Sequence, residues 1–284
     1  MRMHVFGPGG PVVGTIGQGT WNVPERGTAR EEAKRALRRG ISLGMTHIDT
    51  AEMYGSGEAE RIVGEAIADI ARGELFLVSK VLPSNASAAG TIRACEASLR
   101  RLGTDYFDCY LLHWPGSYPI AETLEAFASL RVAGKIRSFG LSNFGADDWA
   151  EASAALPPGE TLACNQLLYH LGERTVESHE EPLLAANGAA LVAYTPFGRG
   201  AAEREHAGFA VLAMIARELR TTPNAVILAY LTRERNAFAI PKAATLAHVE
   251  ENASAGDLVL DAVTIARIDT AYPLRARRGG LPTL

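Results

Sequence analysis

The feature that most constrains this chain is a rhythm: short apolar runs alternate with amphipathic stretches along almost its whole length. The runs cover 15–19, 46–49, 75–80, 107–112, 136–142, 162–166, 190–194 and 237–240. Between and after them, apolar residues recur at helical spacing over 29–43, 58–68, 91–102, 120–132, 147–155, 182–186, 208–219 with 223–232, and 246–253. A strand that is apolar at nearly every position must be covered on both faces, as in a parallel sheet flanked by helices. Eight strand–helix units predict an α/β fold of the (β/α)8 TIM-barrel type. A doubly wound sheet shows the same alternation with fewer strands, so the number of units decides between the two. Residues 4–6 and 11–13, separated by the glycine-rich 7–10, predict a short N-terminal β-hairpin ahead of the first barrel strand. Thr28, with Glu31 three residues on, predicts the N-cap of the first helix.

At 284 residues the chain suits one barrel domain spanning 1–284, large enough to fold without disulfides or a structural metal. A net charge of −4 gives no reason to expect nucleic acid or an anionic membrane as partner. The arginines at 35–39 and 275–278 read as solvated surface, and 179–181 as a solvated helix start. Cys95, Cys109 and Cys164 form no C-x-x-C pair and read as free thiols of a reducing compartment. The first ten residues lack the apolar core of a signal peptide, and no stretch approaches the ~20 apolar residues of a membrane span. A cytoplasmic protein is the expectation. His4, His47, His170, His179, His206 and His248 show no metal-ligand spacing, so no metal is expected. Gly55-Ser56-Gly57 before a helix lacks the third glycine of a dinucleotide fingerprint.

In a TIM barrel, chemistry gathers where strands end. Four polar residues fall at neighbouring strand ends: Asp49, Tyr54 just after it, Lys80 and His113. Taken singly, each has a plain structural reading as turn former, wall, solvated terminus or core histidine. Taken together they suit proton donation. A phenol titrating near ~10 is too weak an acid at neutral pH, a nearby ammonium lowers that value, and a carboxylate keeps a buried ammonium charged. A histidine can orient a substrate oxygen. No side chain supplies hydride, so a nicotinamide cofactor is implied.

The segments DTAEMYGSGEAERIVGEAI, LFLVSK, DCYLLHWP, GKIRSFGLSNF, CNQLLYH, AYTPFGRG and IPKAATLAHVEEN, in this order, resemble the successive blocks of the aldo-keto reductase family. The resemblance spans nearly the whole chain, and it implies a monomer. It is nearest to small bacterial members that reduce methylglyoxal and related 2-oxoaldehydes. It implies NADPH-dependent reduction of aldehydes or ketones, with Tyr54 as general acid, Lys80 as its partner, Asp49 paired to Lys80, and His113 orienting the carbonyl. It implies that Ser142, Asn143 and Gln166 hold the nicotinamide carboxamide and that Tyr194 stacks on the ring. Thr195, Pro196, Phe197 and Gly198 would lie under the pyrophosphate, Lys242 near the ribose phosphate, and Glu251 and Asn252 near adenine. Trp21, Met53 and Trp114 would wall the substrate pocket. Where relatives that prefer NADPH often carry Ser or Thr and an Arg, this chain has Ala243 and His248, although Thr245 lies nearby. That departure implies weaker, pH-sensitive discrimination against NADH. The tail after Pro273 is short, which implies an open pocket, broad specificity and an unfixed end. Two other readings use the same residues: a cofactor-binding sensory or regulatory protein with little turnover, and a Schiff-base aldolase acting through Lys80.

Overall fold

The computed structural model describes residues 1–198 and 206–284; Arg199 and Gly200, the end of the AYTPFGRG segment, lie outside the described residues. A two-stranded antiparallel hairpin, β1 (Met3–Val5) and β2 (Val12–Gly14), precedes the sheet. Eight parallel strands follow in sequential order: β3 (Gln18–Gly19), β4 (His47–Asp49), β5 (Phe76–Val81), β6 (Phe107–Leu112), β7 (Ile136–Ser142), β8 (Cys164–Leu168), β9 (Ala190–Tyr194) and β10 (Ala237–Ala239). The ring closes from β10 back to the β3 segment through parallel bridges Ile16–Ala239 and Gly19–Lys242. Gly19 permits this approach, since a Cβ there would stand 2.6 Å from the Ile240 carbonyl oxygen. The result is the (β/α)8 barrel that the eight-unit rhythm predicts.

The pleat sends alternate residues inward. Phe76 and Val78 on β5, Cys109 and Leu111 on β6, Cys164 on β8, Ala190 and Val192 on β9, and Phe238 on β10 form one interior cluster. Phe6, just past β1, joins that cluster and plugs its lower end, with ring centroids 4.6 Å from Phe76, 5.0 Å from Phe238 and 5.6 Å from His47. The other strand face packs against the helices. The helix Ala88–Leu102 shows how its sequence specifies it. Ser87 Oγ accepts from the Gly90 amide at its start, Gly103 ends it at φ 67°, and Ala94, Cys95, Ser98, Leu99 and Leu102 form its buried stripe. Cys95, Cys109 and Cys164 are all free and buried.

Several expectations need correction. The first helix begins at Gly27 with Arg26 at the N-cap and no side-chain cap, so Thr28 lies inside it. Its preceding turn is set by Gly27 at φ 63° rather than by a hydroxyl. The hairpin strands are displaced by one residue from 4–6 and 11–13. A helix over Ala262–Ala271 was not expected. Glu180 is buried rather than solvated, because Arg277 reaches across from the tail to pair with it. That pair gives the tail a fixed point, and Thr283 and Leu284 line the large cavity at the top of the barrel. Among the described residues, no helix is long and apolar enough to cross a membrane, and no group of His, Cys, Asp or Glu is placed to hold a metal ion.

Candidate active site

A cavity of about 780 Å³ opens at the C-terminal ends of the strands. Asp49, one of its lining residues, belongs to a buried ion pair. Asp49 ends β4 and Lys80 lies near the end of β5; they are 1 % and 0 % exposed, with Lys80 Nζ 2.5 Å from Asp49 Oδ1. Lys80 uses its remaining donors on the Thr50 carbonyl at 2.9 Å and the Tyr54 hydroxyl oxygen at 3.3 Å. The second carboxylate oxygen of Asp49 accepts from Gln166 Nε2 at 2.7 Å. Two buried charges are tolerable only when paired and hydrogen-bonded in this way.

Tyr54 follows β4 on a turn that continues through Gly55 and Ser56, both in the left-handed region. Its ring meets that of His113 edge-on, with centroids 5.7 Å apart. His113 lies just past β6, and its backbone amide continues the ladder to Val81. Burial, seconded by the Lys80 charge, pushes the His113 imidazole down to about 2, so it is neutral near neutral pH. Burial also pushes the Tyr54 hydroxyl up; Lys80 pulls it down and Asp49 adds to the rise. The pull of Lys80 has the expected sign, but desolvation outweighs it. Burial alone would lower the Lys80 ammonium, yet Asp49 and Tyr54 hold it above its ordinary value.

A second polar wall is built by β7, β8 and β9. Ser142 ends β7, and its hydroxyl donates to the Gln166 carbonyl at 3.1 Å. Asn143 follows at φ 60°, a left-handed conformation that Asn tolerates. Its side chain donates to the His113 carbonyl at 3.1 Å and accepts from the Tyr194 hydroxyl at 2.8 Å. Thr195 is also left-handed, at φ 52°, which is costly for a β-branched residue. Such outliers cluster where a chain must present particular groups to a ligand.

The cavity brings together Asp49, Tyr54, His113, Ser142, Asn143, Gln166, Tyr194, Thr195, Pro196, Phe197, Gly198 and Lys242, with Trp21, Met53 and Trp114 at its walls. Lys80 lies beneath, against Asp49 and Tyr54. His248, Glu251 and Asn252 are not among its lining residues; they lie on the helix Leu246–Ser254 that follows Lys242. His248 is exposed, whereas Asn252 is 2 % exposed with its side-chain nitrogen unpaired. Sequence reasoning missed Thr20, Asn22, Ile240, Thr283 and Leu284 as lining residues. Thr20 was findable, as a polar residue at a strand end whose hydroxyl donates to the Asp49 carbonyl at 3.0 Å. Thr283 and Leu284 carry no local signal.

The family model for the Aldo/keto reductase family matches residues 15–273. The methylglyoxal reductase YeaE of Escherichia coli is 45% identical over 261 residues, covering 91% of this chain and 90% of that protein. An aldo/keto reductase from Klebsiella pneumoniae, solved in complex with NADP and acetate, superposes with a TM-score of 0.93 at 40% identity, covering 100% of both chains. The thermostable aldo-keto reductase Tm1743, solved with the inhibitor epalrestat, gives 0.89 at 35% identity over 95% of this chain and 100% of that one. With the family's model matched across the barrel and such relatives matched along nearly their full length, this chain belongs to the aldo/keto reductase family.

Proposed function

We propose that the protein reduces small aldehydes and ketones, 2-oxoaldehydes such as methylglyoxal among them, with NADPH as hydride donor and Tyr54 as proton donor. The observation that carries this reading is the exhausted donor set of Lys80. Its three N–H groups are committed to Asp49, the Thr50 carbonyl and the Tyr54 oxygen. Because Lys80 donates to Tyr54, the phenolic proton must point away from the ammonium, and Tyr54 lines the cavity. A substrate oxygen there accepts it, and the ammonium stabilises the phenolate left behind. His113, neutral at any working pH, offers one N–H to the same oxygen without competing as an acid.

The residues present fit a nicotinamide dinucleotide. Ser142, Asn143 and Gln166 present amide and hydroxyl groups on one wall, and the Tyr194 ring stands beside them with its hydroxyl anchored on Asn143. Thr195, Pro196, Phe197, Gly198 and Lys242 line the same cavity, which suits a chain of phosphates. The unpaired buried amide of Asn252 suits an adenine edge, with Glu251 beside it. Bound there, the reduced ring supplies hydride to the carbonyl carbon. The chain's own part is to orient the carbonyl, exclude water with Trp21, Met53 and Trp114, and deliver the proton from Tyr54. Ala243 and His248 offer no permanent cation for a 2′-phosphate beyond Lys242, so NADH is expected to serve as a weaker donor.

The test is oxidation of NADPH and NADH with methylglyoxal by the wild type and Tyr54→Phe. The variant should lose at least about 10²-fold in kcat and still bind cofactor. Near-wild-type turnover by Tyr54→Phe would remove the proton-donor assignment. Tight cofactor binding with no turnover by the wild type across a panel of aldehydes would favour a sensory role instead.

A further inference from the structure

Lys80 and Asp49, both buried, meet through one Nζ–H···Oδ1 hydrogen bond, and which of the two holds its proton decides whether a cation stands against Tyr54. With the proton on Lys80, the pair is ammonium and carboxylate. With the proton moved to Asp49 Oδ1, the pair is neutral amine and carboxylic acid, and Tyr54 loses the charge that stabilises its phenolate. Something must favour the charged arrangement in a site that burial disfavours for both partners. Lys80 satisfies only Oδ1. Oδ2 would be a buried, unpaired carboxylate oxygen but for Gln166.

Gln166 is well placed to act on this balance. It lies on β8, registered against Ser142 on β7, and is 2 % exposed. Its Nε2 reaches 2.7 Å from Oδ2, a charge-assisted bond that an ionised carboxylate accepts better than a neutral acid does. The other titratable groups around the pair do not share the task. His47, below Asp49 on β4, and His113, beyond β6, are neutral at working pH, being pushed down to about 3 and about 2 by burial. Burial pushes the Cys164 thiol on β8 well up, and pushes Tyr194 at the end of β9 up to about 12. Tyr54 itself bonds to Lys80, not to Asp49. Among the described residues, Lys80 and Gln166 are therefore the only side-chain donors to the Asp49 carboxylate.

We propose that Gln166 is a positioning residue for proton donation: by donating to Asp49 Oδ2 it holds the shared proton on Lys80 and so keeps a cation against Tyr54. This deepens the reading of Tyr54 as the acid and rests on it. It also gives the amide two roles at once. Gln166 lines the cavity, and its Oε1 accepts no hydrogen bond from a described residue. A cavity ligand that donates to Oε1 polarises the amide and makes its N–H a stronger donor to Asp49, as in any hydrogen-bonded chain. Occupation of the cavity and readiness of the acid are then linked, and the linkage is reciprocal.

The experiment uses full-length wild type, Gln166→Leu and the near-isosteric Gln166→Glu, with melting curves to confirm folding. The first readout needs neither cofactor nor substrate: the aspartate side-chain carboxyl carbon signals of ¹³C-labelled protein near neutral pH, with Asp49 assigned through Asp49→Asn. The wild-type signal should be that of a carboxylate, and Gln166→Leu should move it towards the carboxylic acid. The second readout is the pH profile of kcat at saturating cofactor. Gln166→Leu should fall about tenfold or more, the scale of one lost hydrogen bond to a charged group, with its upper limb displaced to higher pH. Gln166→Glu donates to Asp49 only while its own carboxyl is protonated, so it should add a titration step that the wild type lacks. An Asp49 signal and a profile unchanged in both folded variants would overturn the proposal and leave Gln166 a space-filling contact. A displaced Asp49 signal in a protein whose wild type reduces no carbonyl would instead uphold the positioning and overturn the reading of function.

Discussion

The two ends of the barrel are made from the same strands, with the same inward parity and the same burial, yet they do opposite things. On β4, His47 and Asp49 are two residues apart and 0 % and 1 % exposed. At the lower end, His47 is surrounded edge-on by Phe6, Phe76 and Phe238, and neither of its ring nitrogens has a partner. It persists there because it is neutral. At the upper end, Asp49 is paired with the Lys80 ammonium and has a donor for each oxygen. Burial alone therefore does not separate core from site. What separates them is compensation: a residue left without partners must be uncharged, and a charge retained in the interior must be met group by group.

The comparison is broken most forcefully by taking away half of the upper compensation. Lys80→Met leaves Asp49 buried without its cation and should cost about 3–5 kcal/mol of unfolding free energy, along with nearly all turnover. The double variant Asp49→Asn/Lys80→Met should regain most of that stability in urea unfolding and none of the activity. Stability that does not return would show that the pair is not the unit of compensation. The lower end should answer in the opposite sense. Phe6→Ala removes the plug and should cost about 3–5 kcal/mol, while kcat of the folded protein stays within about twofold. A parallel collapse of kcat would mean that the two ends are mechanically coupled.

Acid sharpens the contrast at His47. Burial holds its imidazole at about 3 in the folded protein, against an ordinary value of 6.5. Between those values the unfolded chain binds a proton that the folded chain refuses. Stability is therefore unaffected above about pH 6.5 and falls by about 1.4 kcal/mol per unit as pH drops towards 3. His113, held at about 2, contributes a slope of the same sign. His47→Leu should flatten the stability profile measured from pH 7 to pH 4 by one proton's worth, and an unchanged slope would place the titration elsewhere. The smallest expected effect is at the rim. Trp21 is 47 % exposed, so Trp21→Ala should leave unfolding within about 0.5 kcal/mol of wild type while raising KM several-fold.

Much of the barrel and its mouth is legible in the sequence. Each barrel strand is a local apolar run, and a residue at a strand's end is at the barrel's mouth by construction, so Asp49, Lys80 and His113 could be placed together from spacing alone. What was illegible depended on long-range contacts or on weak stripes. The helix Ala262–Ala271 buries only Thr264 and Ile268, too few to show a periodic face. The burial of Glu180 depends on Arg277, 97 residues away, which no local pattern announces. The family resemblance implies cofactor-holding roles for Gln166 and Asn143, but their bonds to Asp49 and to the His113 carbonyl belong to the assembled site alone.

The seam where the barrel closes has a kinetic consequence. Most adjacent strands share ladders, but among the described residues β10 meets the β3 segment only through the bridges Ile16–Ala239 and Gly19–Lys242. Gly19 and Lys242 also line the cavity. The amides that stitch the seam, Gly17 to Ala239, Ala239 to Thr15 and Gly19 to Pro241, should exchange with deuterium sooner than those between β5 and β6. A ligand lying across Gly19 and Lys242 then acts as a clasp on the ring, and its residence can be read as slowed exchange at these three amides, even for a ligand that undergoes no reaction.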